Sequence, residues 1–215
     1  MNISQITGVY FSPTGSTKRV TEWITERIAD NREAEWLDLT DAVSSRPDYT
    51  FTEHELAVVG VPVYGGRVPE TARERLQKLH GKRTPAVLIV TYGNRAYEDA
   101  LLELSDILKE QGFIPAAAAA VVTEHNIAHV YGAGRPDEKD KKEMTAFAEA
   151  VREKLKSTAG SYKAFGAFYP GQPSVPPIWH IAIKNQCLFS LRGLWNLHPQ
   201  VSGPGYFPYG CEGDR

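Results

Sequence analysis

Phe11-Ser12-Pro13-Thr14-Gly15-Ser16-Thr17-Lys18-Arg19-Val20 lies between a short apolar run and an amphipathic segment, and it reads as a cradle for an anion. Ahead of it Ile6, Val9, Tyr10 and Phe11 have the bulky and β-branched content of a first strand. Behind it Val20, Trp23, Ile24 and Ile28 fall at i, i+3, i+4 and i+8, one face of a helix. Ser12 to Thr17 is therefore a strand-to-helix turn, where the first backbone N–H groups have no intrahelical partner and the helix dipole is positive. Four hydroxyls, on Ser12, Thr14, Ser16 and Thr17, surround Gly15, and each is able to donate to a phosphate oxygen. An ordinary N-capped helix would use the same residue types. Neither G-x-x-x-x-G-K-[ST] nor G-x-G-x-x-G is present, and the turn has no cysteine to act as a nucleophile.

Outward from this turn, strands and helices alternate. Glu35-Trp36-Leu37-Asp38-Leu39 alternates polar with apolar residues, as a half-exposed second strand does. Asp41 to Glu55, with Ser44, Ser45, Pro47 and Asp48, reads as a loop or a broken short helix. Leu56 to Val61 is a third strand, apolar on both faces, and it runs into Pro62-Val63-Tyr64-Gly65-Gly66-Arg67. Pro69 suits the first position of a helix carrying Ala72, Leu76 and Leu79. Pro85 to Val90 is a fourth strand that delivers Thr91-Tyr92-Gly93-Asn94-Arg95, with Tyr97 just beyond. Ala100, Leu101, Leu104, Ile107 and Leu108 mark the next helix, stopped by Gly112. Residues 114–122 hold five alanines, but they are short, follow a helix stop and end in two valines, so they read as strand five. A 14-residue connection, Thr123 to Pro136, precedes a last helix with Met144, Phe147, Ala148, Val151 and Leu155 on one face.

Five strands alternating with helices imply an α/β, doubly wound parallel sheet, and right-handed crossovers favour the order 2-1-3-4-5. Three loops, Ser12–Thr17, Pro62–Arg67 and Thr91–Arg95, then converge at the carboxyl edge of the sheet, where strand order reverses.

Net charge is -2, with 24 basic and 26 acidic residues, so no strong field draws nucleic acid or an anionic membrane. No apolar run approaches the roughly 18 residues of a membrane span, and the N-terminus lacks a secretory pattern, which predicts a cytoplasmic protein. No Cys, Ser or metal-ligand constellation in the three loops supports hydrolytic or metal chemistry. Composition shifts at Ser157: the last 59 residues hold seven of 14 prolines and ten of 22 aromatics but six charges. The division expected is a domain over 1–156 and an extension over 157–215 packed on that domain, a partner subunit or a membrane surface. Ile178–Leu197 is apolar enough for a docked helix or interfacial segment.

S-P-T-G-S-T resembles the [ST]-x-T-G-x-T phosphate loop of flavodoxins, and the longer F-S-P-T-G-S-T-K resembles the flavodoxin-like domain of flavodoxin/ferredoxin fusion proteins. The resemblance covers about residues 3 to 156. It implies FMN as cofactor, its phosphate held by Ser12, Thr14, Gly15, Ser16 and Thr17. Its ring would lie between Pro62, Val63, Tyr64, Gly65 and Gly66 on one side and Thr91, Tyr92, Gly93, Asn94, Arg95 and Tyr97 on the other. Tyr64 and Tyr92 would stack on the ring, and a flipped Gly65–Gly66 peptide would accept a hydrogen bond from the reduced flavin, unless the pair is an ordinary turn. Arg67 and Arg95 depart from the acidic surroundings usual in flavodoxins; beside the flavin they would favour its anionic reduced form, and otherwise they are solvated surface residues. Glu124, His125 and His129 face the same edge, His125 as a proton donor or as a local cap. The ferredoxin motif C-x2-C-x2-C-x3-C-P is absent, since Cys187 and Cys211 stand alone.

The function expected is FMN-dependent electron transport, to a redox partner protein or a small-molecule electron acceptor, with a homodimer through the extension as one arrangement. An NAD(P)H-dependent FMN reductase of quinones or similar acceptors is the second reading, favoured by the positive loops and the aromatic tail. A non-flavin binding module on the same fold is the third.

Overall fold

The computed structural model describes residues 3–41 and 48–156, and the backbone alone of Ser157 and of 180–183. In chain order the elements are β1 (Gln5–Tyr10), α1 (Ser16–Ala29), β2 (Glu35–Asp38), β3 (Tyr49–Phe51), β4 (Glu55–Pro62) and α2 (Glu70–Leu76). They continue with β5 (Leu79–Gly81), β6 (Thr84–Tyr92), α3 (Ala100–Glu110), β7 (Phe113–Val122), α4 (Glu138–Ser157) and β8 (His180–Ile183).

The main sheet is parallel with the order β2-β1-β4-β6-β7-β8. Its first five members are the five expected strands in the order 2-1-3-4-5, and β8 adds a sixth beside β7. Side-chain alternation divides the interior into two layers. Val59, Val61, Leu88, Val90 and Leu104 belong to the layer under α2 and α3; Val58, Ile89, Ile24, Phe147 and Val151 belong to the layer under α1 and α4. The alanine run of β7 is a strand because it is buried on both faces, with Ala118 and Ala120 in one layer and Ala117 and Ala119 in the other. Burial on both sides of a sheet outweighs the helical preference of alanine.

Glycines set two close contacts of the sheet, one with α1 and one with the Trp36 ring of β2. A Cβ on Gly60 would meet the Thr21 hydroxyl at 1.9 Å, and one on Gly8 would meet the Trp36 ring at 2.3 Å.

Four local expectations change. Residues 41–55 include β3, which pairs in parallel with β5 as a small second sheet. Phe51 drives this pairing: it is fully buried, with its ring 5.3 Å from that of Phe113. Leu79, expected on the helix with Ala72 and Leu76, opens β5 instead, because α2 closes after seven residues. Pro69 sits at the N-cap with extended backbone (ψ 137°), one position before the helix begins. Within 178–197, expected as a docked helix or interfacial segment, residues 180–183 form a strand; the rest of that segment, Cys187 and Cys211 lie outside the described residues.

Candidate functional site

The cradle forms because Gly15 takes a left-handed conformation (φ 84°), which turns the chain from β1 into α1. Its amide donates to the Ser12 carbonyl at 3.2 Å, and the Ser12 hydroxyl accepts from the Lys18 amide at 2.9 Å. The Ser12 amide in turn donates to the Thr40 hydroxyl at 2.8 Å, tying the turn to the end of β2. These bonds leave the backbone N–H groups of Thr14, Ser16 and Thr17 without a hydrogen-bond partner among the described residues. Nothing lies within 4 Å of where a Gly15 Cβ would stand, so the concavity is open. Thr14 is exposed and Ser16 nearly buried, while Thr17 turns inward and shares a 2.7 Å hydrogen bond with Thr91 at the end of β6.

The other two loops meet the first at the same sheet edge. The Val63 amide, just past Pro62, donates to the Thr91 carbonyl at 2.8 Å. Tyr64 and Arg67 exchange both backbone hydrogen bonds, at 3.0 and 3.1 Å, around Gly65 (φ 58°) and Gly66 (φ 80°). Positive φ at both central residues is the type I′ pattern of a two-residue hairpin. Glu103 fastens this hairpin to α3, accepting from the Val68 amide and the Arg67 Nε at 2.9 Å each. A Cβ on Gly66 would strike Glu98, whose carboxylate pairs with Arg95. A Cβ on Gly93 would strike the His125 ring, at 2.5 Å from Cδ2. Asn94, in left-handed conformation (φ 64°), lies beside Gly132. The long β7–α4 connection therefore packs on the β6 loop.

The tyrosines differ in exposure. Tyr64 is 45% exposed and presents its ring to solvent. Tyr92 is buried in the core with its ring 5.5 Å from that of half-buried Tyr97. Burial pushes the phenol of Tyr92 up to about 12 and also raises those of Tyr64 and Tyr97, so all three are neutral donors at pH 7. Arg67 and Arg95 are both ion-paired, with Glu103 and Glu98, and bring no net positive charge to the edge. His125 acts as a local cap: its Nδ1 accepts from the amides of Ile127 and Ala128 at 3.2 and 3.1 Å, which assigns the proton to Nε2.

The cavity of about 750 Å³ in the described residues lies on the other side of the cradle, between α1 and the β7–α4 connection. It shares Thr14 and Ser16 with the cradle and continues past Arg19 to Trp23, with Glu124, His129, Arg135 and Lys141 on the far wall. Trp23, expected on the buried face of α1, is half-buried at this groove, with the Arg27 guanidinium 3.3 Å from its ring centre. Glu124 is held below the usual carboxylate range, chiefly by the Gly134 amide and then by His129. Sequence reasoning missed Thr40, Glu98, Glu103 and this groove. Of the groove's lining, Glu124 and His129 had been singled out in the sequence, and Arg19, spaced three residues from Ser16 on one helix face, carried a readable signal. Among the described residues no cluster of His, Cys, Asp and Glu has the arrangement to hold a metal ion, and no helix is long and apolar enough to cross a membrane.

The sheet order and an open strand-to-helix cradle at the β1–β4 switch point define a flavodoxin-like fold. Solved structures of this kind superpose on the chain. A flavodoxin of Streptococcus pneumonia matches with TM-score 0.50 and 18% identity, covering 70% of this chain and 99% of that one. Oxidised Flavodoxin 2 from Bacillus cereus gives 0.52 and 16%, over 70% of this chain and 99% of that one. The NADH:FMN oxidoreductase EMOB in its apo form gives 0.52 and 12%, over 77% of this chain and 96% of that one. At these identities the likeness is one of fold. No protein-family model matches the chain, and no curated protein matches it by sequence.

Proposed function

We propose that the chain binds FMN and works in electron transport, delivering electrons to a redox partner protein or a small-molecule acceptor in the cytoplasm. The carrying observation is the unspent donor set of the cradle: three unpartnered amides, a glycine with open space before it, and the hydroxyls of Ser12, Thr14 and Ser16. Such a set matches a phosphate monoester. Ser12 uses its oxygen as an acceptor toward Lys18, which leaves its proton for a phosphate oxygen. The Thr17–Thr91 pair keeps the cradle in register with the ring-side loops.

Tyr64 supplies an exposed aromatic face for a planar ring, Tyr97 a half-buried one, and Tyr92 supports Tyr97 from below. Pro62, Val63, Gly65, Gly66, Thr91, Gly93, Asn94 and Arg95 form the walls around them. When bound, FMN would supply one- and two-electron chemistry, and the chain's task would be to hold it, exclude water from one side and leave an edge accessible. Because Arg67 and Arg95 are each matched by a carboxylate, the positive loops that favoured a reductase lose that weight. Residues 1–156 would form the flavin-binding unit, with 157–215 an extension returning to the sheet at β8.

The visible spectrum of the purified protein, with identification of any flavin released by heat, tests the reading. A flavin at about one per chain supports it. A colourless protein that refuses added FMN overturns it in favour of a non-flavin binding module. Bleaching of the visible band on mixing with NADPH would move the assignment from carrier to reductase.

A further inference from the structure

All three polar atoms of Ser12 are held by neighbours, and only its hydroxyl proton is unspent. The carbonyl accepts from the Gly15 amide at 3.2 Å and the hydroxyl oxygen accepts from the Lys18 amide at 2.9 Å, both within the turn and the start of α1. The amide alone reaches outside them, donating to the Thr40 hydroxyl at 2.8 Å. The hydroxyl proton has no acceptor among the described residues.

The Thr40 contact is not a continuation of the sheet. The parallel register sets Tyr10 opposite Asp38 and hence Ser12 opposite Thr40, so the next rung of the ladder would run from the Ser12 amide to the Leu39 carbonyl. That carbonyl accepts instead from the Arg75 guanidinium, one turn before the end of the β4–α2 crossover, while the Leu39 amide still donates to the Tyr10 carbonyl at 2.8 Å. A side-chain hydroxyl therefore takes the place of a backbone acceptor where the chain leaves β1. Thr40 is itself fixed, since its amide donates to the Asp38 carboxylate at 2.7 Å.

We propose that Thr40 is a positioning residue of the cradle: by holding the Ser12 amide, its hydroxyl fixes the orientation from which Ser12 offers its proton to a phosphate oxygen. Thr40 thereby sets how strongly the chain discriminates a flavin that carries a terminal phosphate from the same ring and ribityl chain without one. Without the tie the Ser12 peptide is free to turn, and the proton loses its aim. This rests on the reading of the cradle as a flavin phosphate site and adds to it a residue from outside the loop.

The test is a fluorescence-quenching titration of the flavin-free full chain with FMN and with riboflavin at one fixed ionic strength. The wild-type chain is expected to bind FMN at least about a hundredfold more tightly than riboflavin. Thr40→Val should weaken FMN about tenfold, the worth of one hydrogen bond to a charged group, and riboflavin less than about twofold. Thr40→Ser, which keeps the hydroxyl, should retain most of the preference. In a Ser12→Ala background Thr40→Val should have little further effect on FMN, because it acts through the Ser12 hydroxyl. Circular dichroism verifies folding; should Thr40→Val not fold, Thr40→Ala compared with Thr40→Ser isolates the hydroxyl in the same way. Equal weakening of both flavins, an unchanged preference, or a full additional loss in the Ser12→Ala background would overturn the role of Thr40 and leave the cradle standing. A wild-type chain that binds FMN no better than riboflavin, or binds neither, would overturn the cradle reading itself, and the role of Thr40 with it.

Discussion

Thr17 at the start of α1 and Thr91 at the end of β6 are joined by a buried 2.7 Å hydrogen bond between their hydroxyls, across 74 positions of sequence. The bond couples the element that opens the cradle to the strand that launches the ring-side loop. Replacing either by Val strands the other hydroxyl in the interior and should cost about 1–2 kcal/mol. The double variant should cost less than the two single losses together, because no buried hydroxyl is then left alone. Chemical denaturation of the four proteins measures this, and simple additivity would show the two hydroxyls to be independent.

Thr14→Val should behave in the opposite way. Thr14 is exposed and its hydroxyl has no hydrogen-bond partner among the described residues, so the loss of stability should stay within about 0.5 kcal/mol. Flavin affinity should nevertheless fall severalfold, read by fluorescence quenching. An unchanged affinity would remove the Thr14 hydroxyl from the phosphate site.

Glu103 holds the Gly65–Gly66 hairpin to α3, and its titration should be visible in acid. The Arg67 hydrogen bond is the main cause that keeps the Glu103 carboxyl below its usual value, the Val68 amide adds to it, and burial opposes both. A carboxyl held low in the folded state binds fewer protons there than in the unfolded chain. Its stabilisation is therefore complete above about pH 4.5 and drains away as pH falls through the lowered folded-state value. Glu103→Gln should cost about 1 kcal/mol at pH 7 and less at an acid pH below 4.5. Denaturation at the two pH values decides it; an equal cost at both would assign Glu103 a packing role only.

Gly60→Ala should destabilise the domain by about 2 kcal/mol or more, since its Cβ would stand 1.9 Å from the Thr21 hydroxyl. Removing that hydroxyl in Gly60→Ala/Thr21→Ala should recover part of the loss. Thermal unfolding of the three variants reads both effects, and a harmless Gly60→Ala would mean that α1 does not rest on β4 this closely.

Asp140 is 1% exposed, pairs with Arg135 and accepts from the Asp137 amide at 2.8 Å, pinning the start of α4 to the end of the β7–α4 connection. Asp140→Ala leaves the partly exposed Arg135 guanidinium with Asp137 alone, at 3.8 Å, and should cost about 2 kcal/mol. Hydrogen exchange should rise first in residues 123–137. Uniformly raised exchange would instead indicate that the pair supports the whole domain.

Most of the strands were legible because their burial is simple. Leu56–Val61 and Pro85–Val90 are apolar without interruption, which a parallel strand covered on both faces requires, and glycine-containing loops follow both. The cradle was legible for a local reason: Gly15 and its hydroxyl neighbours act within six residues of one another. β3 and β5 were not legible, because each is three residues long and exists through its partner and through burial of Phe51 on Phe113. Local propensity carries no information about a contact made 62 positions away.

By itself the sequence determined the alternation of strands and helices, the switch-point cradle and the three loops at one edge, since each depends on periodicity or on a short motif. Only the tertiary structure decided what those loops do to one another. It turned Thr17 inward to Thr91, buried Tyr92 while leaving Tyr64 exposed, and matched Arg67 and Arg95 with Glu103 and Glu98. It also brought Arg19 of α1 and Glu124 of the β7–α4 connection to one groove beside the cradle, close enough to interact electrostatically. Hydrogen bonds and ion pairs act over a few ångströms, and residues distant in sequence come within that range only once the sheet and its helices have closed around the core.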